Sequence, residues 1–238
     1  MKNQYFGDTR DLFKYDLILE ILLKSNLKHF TFIPMLTKNE PNNYGGRINY
    51  NKARAGTSRM MLKNFLEKCV RENRRNIKEL EKFFRNNKLP KKIRLTIYKK
   101  NSYFSNKTRK EYFSEINGKL LTRSVILVDP DIGLEVENIR GREEKYIKYE
   151  EVKLLYDYMD KHSTLLIFQF IPRVKRKEYF SKVSKRLKQK VTRESPVYYI
   201  SDNQIVFFVL TKNPKLLNSL KNIIGKYANF YGLTMGKN

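Results

Sequence analysis

The apolar positions along the chain change period several times, and each change marks an element. Behind Asp8, with Asp11 three residues on, Phe13, Leu17, Ile18, Ile21 and Leu22 recur at helical spacing up to about Lys24, which predicts a capped helix. Residues 29–36 read as a short apolar strand ended by Pro34, and residues 37–56 as a long polar loop carrying Gly45 and Gly46. Met61, Leu62, Phe65, Leu66, Cys69 and Val70 predict a second helix behind a Thr57 or Ser58 cap. Ile77, Leu80, Phe83 and Phe84 predict a third that stops before Pro90. Ile93, Leu95 and Ile97 then alternate with polar residues as in a strand, and a short helix is expected over residues 106–116, closed by Gly118.

Residues 125–128 form an unbroken apolar run directly ahead of Asp129-Pro130-Asp131, the pattern of a strand buried on both faces of a parallel sheet. A helix over 150–161, a second buried strand over 165–171 and a basic helix over 174–187 repeat the alternation. Two further strands, 197–200 and 205–210, flank the polar Ser201-Asp202-Asn203-Gln204 and predict an antiparallel hairpin. Pro214 suits the first turn of a final helix over 213–231. Together these predict one α/β domain over residues 1–238: a Rossmann-type, mostly parallel sheet with a C-terminal antiparallel hairpin and a helical insertion at about 57–90. No internal repeat or low-complexity linker divides it.

Charge narrows the class of partner. Fifty Lys and Arg stand against 24 Asp and Glu among 238 residues, a formal net charge of +26 and a sequence pI near 10.0. Such self-repulsion is relieved by a polyanion, so DNA or RNA is the expected partner. The basic residues are spread along the whole chain, which does not suit a membrane-surface helix, and no run of 18 apolar residues suggests a span. The single Cys69 excludes an internal disulfide and a CxxC metal site. With no charged-then-apolar leader pattern, a cytoplasmic protein is expected.

In open α/β sheets, ligands bind beyond the carboxyl ends of the strands, which is where Asp129, Asp131 and Glu135 fall. Carboxylates there suit metal ligation, general acid/base work or hydrogen bonding to a base edge, or they simply end the strand and cap the next turn.

The segment Tyr5-Phe6-Gly7-Asp8-Thr9-Arg10-Asp11-Leu12-Phe13-Lys14-Tyr15 resembles the amino-terminal signature of the J-type ribosomal RNA methyltransferases, which modify the exocyclic amine of adenine. Gly7, Asp11 and Lys14 match that signature, while Asp8 replaces an Asn and Tyr15 a His. The strand ending in Asp129-Pro130-Asp131 is similar to that family's Asp-Pro-Pro-Tyr, with Asp131-Ile132 in place of Pro-Tyr. The resemblance implies a Rossmann methyltransferase fold and S-adenosylmethionine as cofactor. It places Lys14, Asp129 and Asp131 in the catalytic pocket, and Gly7, Asp8, Asp11, Gly45 and Gly46 beside the methyl donor. Arg47, in the same loop, and Tyr5 would then face nucleic acid. The family's stacking aromatic ring after Asp-Pro and a Gly-x-Gly turn after the first strand are not present here.

Two other classes fit the same residues. Asp131 followed by Glu143 and Lys145 satisfies a loose Pro-Asp…Glu-x-Lys pattern, in which two acids hold Mg²⁺ and a lysine polarises the attacking water of a nuclease. The third class is a DNA- or RNA-binding protein without catalysis. Residues 173–193 carry Arg173, Lys175, Arg176, Lys177, Lys182, Lys185, Arg186, Lys188, Lys190 and Arg193 against only Glu178, as a phosphate-tracking surface would. If roughly six of these meet phosphates of duplex DNA, the log-log salt slope should be on the order of −5. Tyr5, Phe6, Tyr44 and Tyr103 lie outside clear core periodicity and are candidate stacking rings. His29 and His162 stand at helix-to-strand junctions, where a capping role for the charged imidazole is expected.

Overall fold

Strict alternation inside the buried strands sorts the hydrophobic residues to two faces. The computed structural model describes residues 1–41, 46–86, 89, 92–137, 141–193 and 195–237. Helix α1 (Thr9–Lys24) leads to strand β1 (His29–Ile33), helices α2 (Met60–Arg71) and α3 (Glu79–Asn86), strand β2 (Arg94–Ile97), helix α4 (Arg109–Ser114) and strand β3 (Ser124–Val128). The short β4 (Gly133–Leu134) and β5 (Tyr146–Ile147) pair only with each other. Helix α5 (Tyr149–Tyr158), strand β6 (Thr164–Phe170), helix α6 (Arg176–Leu187), strands β7 (Tyr198–Ser201) and β8 (Ile205–Leu210), helix α7 (Pro214–Tyr231) and strand β9 (Thr234–Lys237) complete the order.

The main sheet runs β2-β1-β3-β6-β8-β7-β9. The pairs β2–β1, β1–β3 and β3–β6 are parallel, and β6–β8, β8–β7 and β7–β9 are antiparallel. This is a Rossmann-like α/β fold carrying the expected C-terminal hairpin. From β1 the chain crosses to β2 on one side and returns to β3 on the other, so the strand order reverses between β1 and β3. In open α/β sheets such a reversal opens a crevice at the carboxyl ends of the strands.

Phe30, Phe32, Val125, Leu127, Leu166 and Phe168 share a core with residues of α1, α2, α3 and α7. Their alternates Ile33, Ile126, Val128, Leu165 and Ile167 share a second core with residues of α4, α5 and α6. Both faces of β3 and β6 are therefore covered, which is why their sequences are apolar without alternation. Helices α2 and α3, expected as an insertion, contribute Leu62, Leu66, Leu80 and Phe83 to the same core as α1.

Several boundaries differ from expectation. Helix α2 begins after Arg59, with no side-chain cap from Thr57 or Ser58. The Ser58 hydroxyl instead bonds Tyr231, and the Arg59 guanidinium is drawn to Asp16 and Glu20 of α1. Helix α4 is shorter than residues 106–116 because Ser105 and Thr108 bond each other at its start. Strand β9 carries no apolar run that could announce it; it forms because Gly232 ends α7 and turns the chain back against β7. His29 is the first residue of β1 and is buried, and burial and then Arg94 lower its pKa to about 4. It is a neutral hydrogen-bonding residue there, not the charged cap expected: Nδ1 faces the Arg94 guanidinium at 3.3 Å, which leaves Nε2 to donate to Thr96 Oγ1 at 3.0 Å.

Candidate functional site

Asp129 follows β3 directly, and its amide still pairs with the Ile33 carbonyl at 3.0 Å, so its carboxylate stands at the strand-order reversal. Lys14 reaches it from α1. The Lys14 ammonium lies 2.7 Å from Asp129 Oδ2 and 2.8 Å from Asp11 Oδ1, and all three side chains are buried. Asp11 Oδ2 accepts from the Gly7 amide at 3.0 Å. Asp129 Oδ1 has no partner among the described residues and belongs to a residue that lines an open cavity of 320 Å³.

Burial opposes the Lys14 charge, but Asp11 and then Asp129 outweigh it and hold the pKa above the usual lysine range. Burial raises the Asp129 carboxyl above its ordinary value, with Lys14 as the main opposing influence. Asp8, capping α1, is pushed up to about 6 by burial and by the neighbouring Asp11, against the pull of Arg10. Asp131 goes the other way: burial would raise it, yet the α-amino group of Met1 and Lys2 hold it below the usual carboxylate range. That amino group lies 2.8 Å from Asp131 Oδ1, Lys2 contacts Oδ2, and Thr37 Oγ1 donates to Oδ2 at 2.9 Å.

Met1 occupies the reversal crevice itself. Its α-amino group donates to the carbonyls of Met35, beyond β1, and Asp129, beyond β3, at 3.2 Å each. The Asp131 loop is fixed from below by Gly133 and Gln169. The Leu134 amide donates to Gln169 Oε1 at 2.7 Å, and a Cβ at Gly133, whose φ is +148°, would fall 2.1 Å from that oxygen.

The structure brings Tyr5, Asp8, Asp11, Lys14, Asp129 and Asp131 together around this cavity. Gly7 stands behind it through its bond to Asp11. Gly46 lies against Asp8, where a Cβ would meet Oδ2 at 2.9 Å, and the Arg47 carbonyl accepts from Thr9 N at 2.7 Å while its side chain is exposed. Gly45, like Tyr44, lies outside the described residues.

Sequence reasoning missed Phe168 and Phe170, which line the cavity from the end of β6, as well as Lys2, Arg10 and Glu40. Aromatic rings thus enter the lining from the strand beside β3. Phe168 stacks under the Lys14 ammonium at 4.9 Å and Phe170 under the Arg10 guanidinium at 4.8 Å. The alternation of Phe168 and Phe170 around Gln169 was the available signal.

Charges in the lining balance. The Met1 amine, Lys2, Arg10, Lys14 and Lys145 give five cations, and Asp8, Asp11, Glu40, Asp129 and Asp131 give five carboxylates. A neutral ligand suits such a lining better than a phosphate does.

Of the residues read as a nuclease pattern, Lys145 reaches the cavity beside Asp131 and lies 3.7 Å from Glu40, whereas Glu143 sits in a turn at Glu143–Lys145 and is not in the lining. Both Asp131 oxygens already face cations. Among the described residues no group of three His, Cys, Asp or Glu side chains is placed to hold a metal ion. Glu135 caps α5, accepting from Tyr149 N at 2.8 Å.

In and ahead of α6, Phe180, Val183 and Leu187 face the core, and Arg173, Lys175, Arg176, Lys177, Lys182 and Lys185 are exposed. Arg186 is half-buried and paired with Glu137 at 2.8 Å, and Lys175 lies 3.4 Å from Glu178. Arg173 to Lys177 follow the carboxyl end of β6, on the same rim as Asp129.

No family model and no curated protein matches the chain. Among solved structures, the crystal structure of protein LPL1258 from Legionella pneumophila, of the family model DUF519, aligns with 98% of this chain and 96% of its own at a TM-score of 0.42 and 12% identity. Among the described residues no helix is long and apolar enough to cross a membrane.

Proposed function

We propose that the protein binds nucleic acid and receives one unpaired nucleoside in the Asp129 cleft. The observation that carries this reading is the charge-balanced cleft in a chain of net charge +26, with Phe168, Phe170 and Tyr5 in its wall. A neutral base gains stacking and a hydrogen bond there, while its phosphates stay outside on the exposed Arg173, Lys175, Arg176 and Lys177. Asp129 Oδ1 would accept from an exocyclic amine, and Lys14 keeps that acceptor ionised. A cavity of 320 Å³ lies in the range of small-ligand sites.

The amino-terminal resemblance implies adenine modification at such a cleft, and S-adenosylmethionine is the cofactor that reading would require. A donor needs the crevice at the ends of β1 and β3, where Met1 and Lys2 lie bonded to Met35, Asp129 and Asp131. The residues as placed do not fit the donor.

Fluorescence anisotropy with a labelled single strand holding one central adenine tests the reading. Asp129→Asn should weaken binding on the order of tenfold, because one charge-assisted hydrogen bond is lost, and should leave the salt slope unchanged. A strand with an abasic centre should bind wild type and variant alike. Equal losses on both strands, or no binding by the wild type, refute a nucleoside in the cleft. Calorimetric titration with S-adenosylmethionine is the companion measurement: saturable binding that Lys14→Met abolishes would favour a methyltransferase.

A further inference from the structure

A second charged surface lies at the opposite rim of the sheet. Lys28 precedes β1, Lys92 precedes and Arg94 opens β2, Lys119 and Arg123 lead into β3, and Arg85 lies in the last turn of α3; all six side chains are exposed. They line an open groove of 1110 Å³ whose apolar floor includes Phe84 and Leu95. None of the six forms a salt bridge among the described residues. Arg85 bonds the Glu81 carbonyl, and Arg94 faces His29. The one carboxylate in the lining, Glu81, is held by Lys100 at 2.5 Å.

We infer that this groove is a second nucleic-acid site, which takes a sugar-phosphate backbone independently of the Asp129 cleft. Six cations around a trough with no unpaired carboxylate among the described residues form a site for a linear polyanion, and the concave shape suits a strand better than a flat anionic bilayer. The contrast with the Asp129 cleft is one of composition: there five carboxylates cancel five cations, and here the cations stand uncancelled. Strand β1 has five residues at roughly 3.3 Å each, so the rims lie about 16 Å or more apart. One strand can reach both only by passing over an edge or a face of the molecule. The inference extends the nucleic-acid reading to a surface that has no part in nucleoside capture.

The test compares two triple variants by anisotropy with a labelled single strand across a salt series. Lys28→Gln/Lys92→Gln/Lys119→Gln changes exposed side chains that form no salt bridge among the described residues, and melting curves check that the fold is kept. The comparison is Arg173→Gln/Arg176→Gln/Lys177→Gln. If the groove holds a strand, the first variant should bind about 10- to 100-fold more weakly at 0.1 M salt, with a salt slope shallower by about 2 for three lost phosphate contacts. It should also keep the wild-type discrimination between adenine and abasic centres.

Wild-type affinity and slope in the first variant, with losses only in the second, overturn the groove while leaving the proposed function intact. Failure of the wild type to bind any strand overturns both. Sedimentation with vesicles of anionic phospholipid is the control: vesicle binding abolished by the first variant, with strand binding untouched, assigns the groove to a membrane and overturns the inference.

Discussion

Replacing Lys14 with methionine keeps the stem of the side chain and removes an ammonium that lies within 3 Å of both Asp11 and Asp129. All three groups are buried at the edge of the cavity, so water replaces the cation only in part. Breaking a buried ion pair from one side costs about 3–5 kcal/mol, chiefly because the abandoned charge stays desolvated. For a chain of this size that corresponds to roughly 6–20 °C in melting temperature.

The loss should depend on pH, and its sign is set by Asp129. Burial already raises this carboxyl, and Lys14 is the main influence holding it down, so without Lys14 the folded pKa climbs further. An acid whose folded pKa exceeds its unfolded value of about 3.9 stabilises the fold below that value, and the contribution fades as pH rises towards the folded pKa. Lys14→Met should therefore be most damaging at pH 8 and least damaging near pH 5. Adding Asp129→Asn should restore part of the difference at pH 8. Urea unfolding at the two pH values, on wild type and both variants, measures this. A single-variant loss below about 1 kcal/mol, or one equal at both pH values, would show that the ammonium is not the counterion it is taken to be.

Asp8, with a folded pKa near 6, should make wild-type stability fall between about pH 4 and 6, and Asp8→Asn, which keeps a good capping residue, should flatten that fall in urea midpoints. His29 should behave oppositely. Its folded pKa of about 4 lies below the unfolded 6.5, so stability rises from pH 4 to 6.5. Imidazole NMR shifts should show a neutral ring with its proton on Nε2 down to about pH 4, and titration near 6.5 would refute the buried placement.

The fold was legible where burial imposes a pattern. Strand β3 and strand β6 are covered on both faces, and their unbroken apolar runs carried that information; helices α1 and α7 carried capping residues at the positions where they start. What escaped was set by contacts between distant segments. Helix α2 starts where Arg59 meets two acids on α1, and β9 forms because an edge at β7 was open to pairing. In the site, Asp129 could be chosen from sequence because a carboxylate at the end of a buried strand is a local signal, whereas Lys14 and Asp11 were chosen through the amino-terminal resemblance alone. Phe168 and Phe170 looked like ordinary core residues. Only the sheet order, which sets β6 beside β3, shows that they form the wall of the cleft.

The contact between Gly133 and Gln169 ties two positions 36 apart in sequence into a single unit of inheritance. No side chain can be added at 133 while the amide at 169 keeps its place, and shortening 169 withdraws the acceptor from the Leu134 amide. Changes at either position are thus tolerated only in company, so the turn that carries Asp131 should drift more slowly than a turn without this contact.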